Sequence, residues 1–208
     1  MHDLSFSVDA TATKAQQRKQ FLRQRQQLST AAWQQKSKQL CCHLRQMPVF
    51  QSAHTVLSFV SIRHEPDLTS LYAQGGAHRQ WGLPRCVDKT LVWHHWQPGA
   101  FHTLQTGAYG IAEPHPDSPQ IPVNEVDLIL VPALACSAQG QRLGYGGGFY
   151  DRLLSHPDWH TKVTIGIVFE VAYVPTLPTD AWDCLLQGVC TEAGGMLFSD
   201  TSCRHKSD

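Results

Sequence analysis

The 208-residue chain has no apolar run of membrane-spanning length, which takes roughly 18 residues or more. Its first residues, M-H-D-L-S-F-S-V-D, lack the basic-then-apolar pattern of a secretion leader. It has no net charge: Lys+Arg and Asp+Glu both number 17. That balance argues against a general nucleic-acid binder, which is usually strongly basic. Seven cysteines are scattered with no C-x-x-C pair. This excludes an evident disulfide framework or zinc knuckle, and a reducing cytoplasm is the expectation. Twelve histidines include no H-E-x-x-H. His94-His95 sits in an alternating segment, L-V-W-H-H-W, and reads as strand surface rather than a metal site. Charge is nonetheless uneven, for residues 14–45 hold Lys and Arg but no acid. Such a stretch either faces a polyanion or is simply solvated.

What is present is glycine in one place. Arg142 to Leu153 reads R-L-G-Y-G-G-G-F-Y-D-R-L, with four glycines between positions 144 and 148. An apolar run, Val126 to Ala135, precedes it and reads as a buried strand, placed at 126–132; a short helix is expected from about Tyr150 to Leu154. Glycines between a strand and a helix let phosphate oxygens approach bare backbone N–H groups. A Cβ would block that approach and disfavour positive φ. Arg142 adds a forked cation and Asp151 a hard oxygen ligand for Mg²⁺. The segment therefore suggests a site for a phosphorylated ligand, most simply a nucleotide. A flexible glycine-rich turn remains the alternative. It is neither a Walker A loop nor a G-x-G-x-x-G fingerprint.

Length and a hydrophobic content of 42% fit one soluble domain. The domain is expected over 12–198, with 1–11 disordered and 199–208 a flexible tail. A polar helix is predicted over 12–28 and a second from Ser29 or Thr30, one of which caps it, to about Gln46, ended by Pro48. Thr55–Ser61 reads as a strand, followed by a turn over Arg63–Asp67. A short helix, Leu68–Gln74, is expected to close at Gly75-Gly76. Gln80–Leu83 and Leu91–Trp96 read as strands, with P-R-C-V-D-K-T as the loop between them. Five prolines fall within residues 97–122, a turn-rich stretch. Lys162–Phe169 reads as a buried strand and Gly188–Thr191 as the final one. Strands alternating with helices imply an α/β fold with ligands at strand carboxyl ends.

Taken in order, several segments resemble the 5-formyltetrahydrofolate cyclo-ligase (5,10-methenyltetrahydrofolate synthetase) family. They are K-A-Q-Q-R (Lys14–Arg18), F-V-S-I-R-H-E-P-D (Phe59–Asp67), L-P-R (Leu83–Arg85), Y-G-I-A-E-P (Tyr109–Pro114), R-L-G-Y-G-G-G-F-Y-D and D-C-L-L-Q-G-V-C-T-E (Asp183–Glu192). The resemblance implies a three-layer open α/β sheet with flanking helices, Rossmann-like and similar to CoA transferases. It implies ATP- and Mg²⁺-dependent closure of 5-formyltetrahydrofolate to 5,10-methenyltetrahydrofolate, releasing ADP and phosphate. It also implies a monomer acting on small molecules, without nucleic acid or membrane. By motif, Lys14, Arg18, Arg142, Gly144, Tyr145, Gly146, Gly147, Gly148, Phe149 and Tyr150 correspond to ATP contacts. Asp151 and Asp183 correspond to the Mg²⁺ carboxylates, with Arg142 and Asp151 as the catalytic pair. Glu65 corresponds to the folate carboxylate, with Val60, Tyr145 and Phe149 beside it. A carboxylate suits the paired N–H donors of a pterin edge. Arg85 and Tyr109 match family motifs without an assigned role.

The chain departs from the commoner family pattern at Gly147, Phe149, Trp182 and Gln187, none of which is a proposed metal ligand. Two other activities fit the same glycine segment. A small-molecule kinase predicts a stable phosphorylated product, and a binding module predicts binding without turnover.

Overall fold

The structure, a computed structural model, describes residues 12–74 and 79–198. The expected disorder at 1–11, the tail at 199–208 and the helix stop at Gly75-Gly76 lie outside the described residues. Helices are α1 (Lys14–Gln26), α2 (Thr30–Gln46), α3 (Pro48–Ser52), α4 (Thr69–Gln74) and α5 (Phe149–Ser155). Strands in the main sheet are β1 (Thr55–Leu57), β2 (Gln80–Val87), β3 (Thr90–His95), β6 (Leu128–Pro132), β9 (Val163–Ile167), β11 (Gly188–Cys190) and β12 (Gly195–Leu197). The described residues also form five shorter strands: β4 (Gln105–Thr106), β5 (Ala112–Glu113), β7 (Ala135–Ser137), β8 (Arg142–Leu143) and β10 (Tyr173–Val174).

The first two helices start on side-chain caps. Thr13 closes a capping box with Gln16, and Ser29 accepts from the Ala32 N–H at 3.2 Å. Pro48 ends α2 and also opens α3, where its missing N–H is harmless.

The main sheet runs β12-β11-β9-β6-β1-β2-β3. Its inner pairings, β11·β9, β9·β6, β6·β1 and β1·β2, are parallel, while both edge pairings are antiparallel. Strand β6 shows why three layers form. Leu128 and Leu130 pack with α2, α3 and α4 through Leu40, Leu44, Phe50 and Leu71. Ile129 and Val131 point the other way, into a cluster with Phe21 of α1 and Leu153 and Leu154 of α5. Successive side chains alternate faces, so an apolar run buries both. This is the expected α/β layered sheet with flanking helices. Among the described residues no helix is long and apolar enough to cross a membrane.

Several element boundaries differ from expectation. The strand expected over 126–132 ends at Pro132 as β6, but the apolar run continues to Ala135 in another element: β7 leaves to pair with β8 and β10 in a separate three-stranded sheet. The expected loop after Leu83 is strand as far as Val87, turning at Asp88, whose φ is 53°. Pro84 is tolerated because β1 pairs with β2 only through Gly82. His94 is buried rather than on a strand surface, because the segment ending at Ile121 covers β3. Its Nδ1 lies 2.6 Å from the Ser118 carbonyl, and Ile121 donates to Trp93 at 2.8 Å. Gly188–Cys190 is not the last strand, since β12 returns antiparallel to it.

Candidate active site

Strand order reverses between β1 and β6: the chain leaves β1 toward β2 on one side, and β6 toward β9 on the other. Open α/β sheets hold ligands at the carboxyl ends of strands flanking such a point. A cavity of about 470 Å³ lies there. Val60 and Glu65, on the segment leaving β1, and Pro132, the last residue of β6, form part of its wall. The wall also includes Lys14, Arg18, Arg142, Gly144, Tyr145, Gly146, Gly147, Gly148, Phe149, Tyr150, Asp151 and Asp183. The residues singled out from the sequence thus border one space, brought from α1, the β1 exit, the β8–α5 turn and the segment before β11.

The small sheet delivers the glycine turn. β7 and β8 pair antiparallel, Cys136 opposite Arg142, and the chain then passes through Gly144–Gly148 into α5. Gly146 has φ +97°, which side chains disfavour, and the Arg18 guanidinium packs against it. At Gly144 a Cβ would fall 2.4 Å from Arg142 Nη1. Arg18 Nε donates to the Gly144 carbonyl at 2.9 Å, fixing the turn to α1.

Three ion pairs border the cavity. Arg142 Nη2 donates to Asp151 Oδ1 at 2.8 Å, while the buried Arg142 Nε has no hydrogen-bond partner among the described residues. Lys14 bonds Asp180 Oδ2 at 2.6 Å and also Asp183 Oδ2. Burial pulls the Lys14 pKa down, but the bonds and charges of Asp180 and Asp183 outweigh it and raise it overall. Asp183 Oδ2 further accepts the Asp180 N–H at 2.8 Å. The thiol of Cys184, next in chain to Asp183, lies 3.7 Å from the Asp151 carbonyl, so the two carboxylate-bearing segments touch. Among the described residues no three His, Cys, Asp or Glu side chains cluster as a metal site. Two carboxylates are nonetheless a fitting protein share for Mg²⁺, which usually takes its other ligands from water and phosphate.

Glu65 is buried beside the glycine turn, with 2% of its surface exposed. Its Oε1 accepts from the Tyr145 hydroxyl at 2.9 Å and its Oε2 from the Ile62 N–H at 3.0 Å. Burial raises its pKa, opposed by the Ile62 N–H, Arg25, Tyr145 and Arg63. The Tyr145 phenol is pushed up to about 12 by burial and by the Glu65 charge. Arg25, which the sequence did not single out, lies behind this pair and donates to the Tyr145 hydroxyl. Its spacing from Lys14 and Arg18, eleven and seven residues on, puts all three on one helix stripe.

Other motif residues have structural partners. Arg85 Nη1 lies 3.8 Å from Glu113 and also donates to the Pro114 carbonyl at 2.5 Å. Gln187 accepts the Thr164 N–H at 2.7 Å, bridging β9 and the start of β11 away from the cavity. Tyr109 packs edge-on to Phe149 at 5.4 Å, and both border the cavity. Trp182 also borders it and is 69% exposed.

Comparison with known proteins gives one family. Residues 10–192 match the model of the 5-formyltetrahydrofolate cyclo-ligase family. A 5-formyltetrahydrofolate cyclo-ligase of Escherichia coli K12 is 31% identical over 176 residues, 82% of this chain and 96% of that protein. One from Mycolicibacterium smegmatis is 33% identical over 156 residues, 70% of this chain and 77% of that protein. The solved structure of Aquifex aeolicus 5,10-methenyltetrahydrofolate synthetase superposes with a TM-score of 0.78 at 28% identity, covering 93% of this chain and 99% of that one.

Proposed function

The chain belongs to the 5-formyltetrahydrofolate cyclo-ligase family, and from that we propose that its cavity closes 5-formyltetrahydrofolate to 5,10-methenyltetrahydrofolate at the expense of ATP. The observation that carries this reading is a single cavity bordered both by a cation-lined glycine turn and by a buried carboxylate, Glu65. The first suits a triphosphate and the second a pterin edge with paired N–H donors.

The chemistry asks for activation of a poor leaving group. The formyl oxygen attacks the γ-phosphorus of ATP, and the bond to the ADP oxygen breaks. N10 then attacks the formyl carbon; its C–N bond forms, its proton is lost, and phosphate departs with the former formyl oxygen. Such transfers depend chiefly on alignment and charge stabilisation. Lys14, Arg18 and Arg142 bind phosphate oxygens, and Gly144, Gly146, Gly147 and Gly148 offer backbone N–H groups. Glu65 orients the pterin, flanked by Val60, Tyr145, Phe149 and Tyr150. Asp151 and Asp183 hold Mg²⁺, which supplies neutralisation of phosphate charge.

The ion pairs support this division of roles. Lys14 holds both Asp180 and Asp183, and Arg142 holds Asp151. A magnesium triphosphate offers phosphate oxygens for these cations and a metal for the carboxylates Asp151 and Asp183.

The test is near-ultraviolet absorbance of the methenyl cation with purified protein, 5-formyltetrahydrofolate, ATP and Mg²⁺. A rise requiring all three additions is expected. ADP release with a stable phosphorylated folate and no absorbance rise would favour a kinase instead. Binding without turnover would favour a carrier.

A further inference from the structure

Arg25 is 5% exposed, lies outside the cavity wall and spends its guanidinium on three other segments. Its Nε donates to the Arg63 carbonyl at 3.1 Å and its Nη1 to the Ala133 carbonyl at 3.2 Å, while Nη2 donates to the Tyr145 hydroxyl. It thereby ties α1 to the turn before Glu65, to the residue after β6 and to the glycine turn. Its closest carboxylate oxygen is Glu65 Oε1, at 4.0 Å.

The donor count gives this arrangement a direction. A guanidinium only donates, whereas a hydroxyl has one proton and two lone pairs. The Tyr145 oxygen accepts from Arg25, so its own proton is free to point at Glu65 Oε1, 2.9 Å away. Glu65 Oε2 already accepts from Ile62. Each carboxylate oxygen thus has one protein donor and keeps lone-pair capacity for a ligand. A proton on Oε1 would face the Tyr145 proton and break the chain of bonds.

The backbone here also needs holding. Arg63 and His64 are consecutive non-glycine residues with φ of 47° and 59°. Left-handed residues of this kind are strained and persist where surroundings over-determine them. Arg25 grips the Arg63 carbonyl, Trp33 Nε1 donates to the Glu65 carbonyl at 2.8 Å, and the Trp33 ring stacks on His64 at 5.7 Å.

We infer that Arg25 is a positioning residue for the reaction: through the Tyr145 hydroxyl and the Arg63 carbonyl it fixes Glu65 as an oriented carboxylate facing the folate. This rests on the folate reading of the cavity given above. The charged and titratable groups around Glu65 are Arg25 from α1, Arg63 and His64 from its own turn, Tyr145 from the glycine turn and Tyr150 from α5. Of these, Arg25 alone combines burial, a cation and a bonded path to the carboxylate.

The experiment compares wild type, Arg25→Gln, Arg25→Lys and Tyr145→Phe as full chains. It measures kcat and KM for each substrate across pH, together with Tm. In Arg25→Gln, KM for 5-formyltetrahydrofolate should rise about tenfold or more with KM for ATP within about twofold, the loss of one charge-assisted arrangement. The acidic limb of kcat/KM for the folate should move to higher pH by about one unit or more, since an opposite charge near a carboxylate favours its anion. Arg25→Lys should return most of that displacement, and Tyr145→Phe should move the limb the same way without removing the cation. Should Arg25→Gln fail to fold, the lysine and phenylalanine variants decide alone. If the limb coincides in all folded variants while both KM values and Tm change together, Arg25 merely braces the fold and the inference is overturned. Wild-type protein that turns over no formyltetrahydrofolate would instead overturn the reading of the cavity.

Discussion

Glu65→Gln sets binding against stability, and the two should respond to pH in opposite senses. Burial raises the Glu65 pKa, so the folded chain holds this proton more tightly than the unfolded chain does. Its contribution to stability is then full below the unfolded value, about 4.3, and is lost as pH rises through the higher folded value. Glutamine carries no such dependence. It does bring a constant penalty, because the Ile62 N–H and the Tyr145 O–H both need acceptors and an amide offers one oxygen. One unmet buried donor costs about 1–3 kcal/mol. The Tm of wild type minus that of Glu65→Gln should therefore be largest at low pH and shrink as pH rises toward neutrality. Folate binding runs the other way, since it uses the anion. Replacing hydrogen bonds to a charged acceptor, worth about 1.5–3 kcal/mol, raises KM for the folate about 10- to 150-fold. KM for ATP should hold. Thermal melts across pH and steady-state kinetics with each substrate varied provide the check. A Tm difference flat in pH, or equal increases in both KM values, would refute the reasoning.

Asp151→Asn should lower Mg²⁺-dependent turnover well over tenfold, as a metal-bound charge is lost; near-normal rates at low Mg²⁺ would remove Asp151 from that role. Gly146→Ala should destabilise by about 1–2 kcal/mol because φ is +97° there, and should raise KM for ATP more than KM for the folate. A denaturant titration beside the kinetics separates the two effects. Gly166→Ala in β9 should cost about 1–3 kcal/mol by overpacking, since the added Cβ would meet Cys136 Sγ at 2.6 Å and Leu186 Cδ1 at 2.8 Å. Its kinetic constants should stay near wild type, which makes it a control for stability alone.

Much of the layered fold is legible because its signals are local. The alternating clusters of β6 follow from an unbroken apolar run, and Ser29 announces the start of α2. Breaks within apolar runs are not legible in the same way. Nothing in L-I-L-V-P-A-L-A says that the chain changes sheets after Pro132, because the residues on both sides of it are apolar and buried and only the strand partners differ. Pro84 reads as a loop residue, yet it sits in β2 because the sheet edge beyond Gly82 asks for no donor. His94 reads as surface from alternation alone, and is buried because a turn-rich segment folds back over its strand.

The site divides along the same line. Residues flanking glycines or following strand ends announce themselves by position. Arg25 does not, for its meaning depends on Glu65 and Tyr145, 40 and 120 residues further on. A basic helix with little apolar surface admits two readings from sequence, a ligand-facing stripe or a solvated one. The structure adds a third, in which the stripe runs inward along its length. Lys14 and Arg18 border the cavity, while Phe21 and Arg25 are buried behind it. Buried charge is expensive unless paired and hydrogen-bonded. Arg25 meets that demand with two carbonyls, a hydroxyl and a carboxylate 4.0 Å away. Removing one member of a buried charge pair is costly whatever its role, because the other is left uncompensated. Replacing Arg25 by an apolar side chain would in addition leave Tyr145 without its donor and the Arg63 carbonyl without its partner, and both lead directly to Glu65.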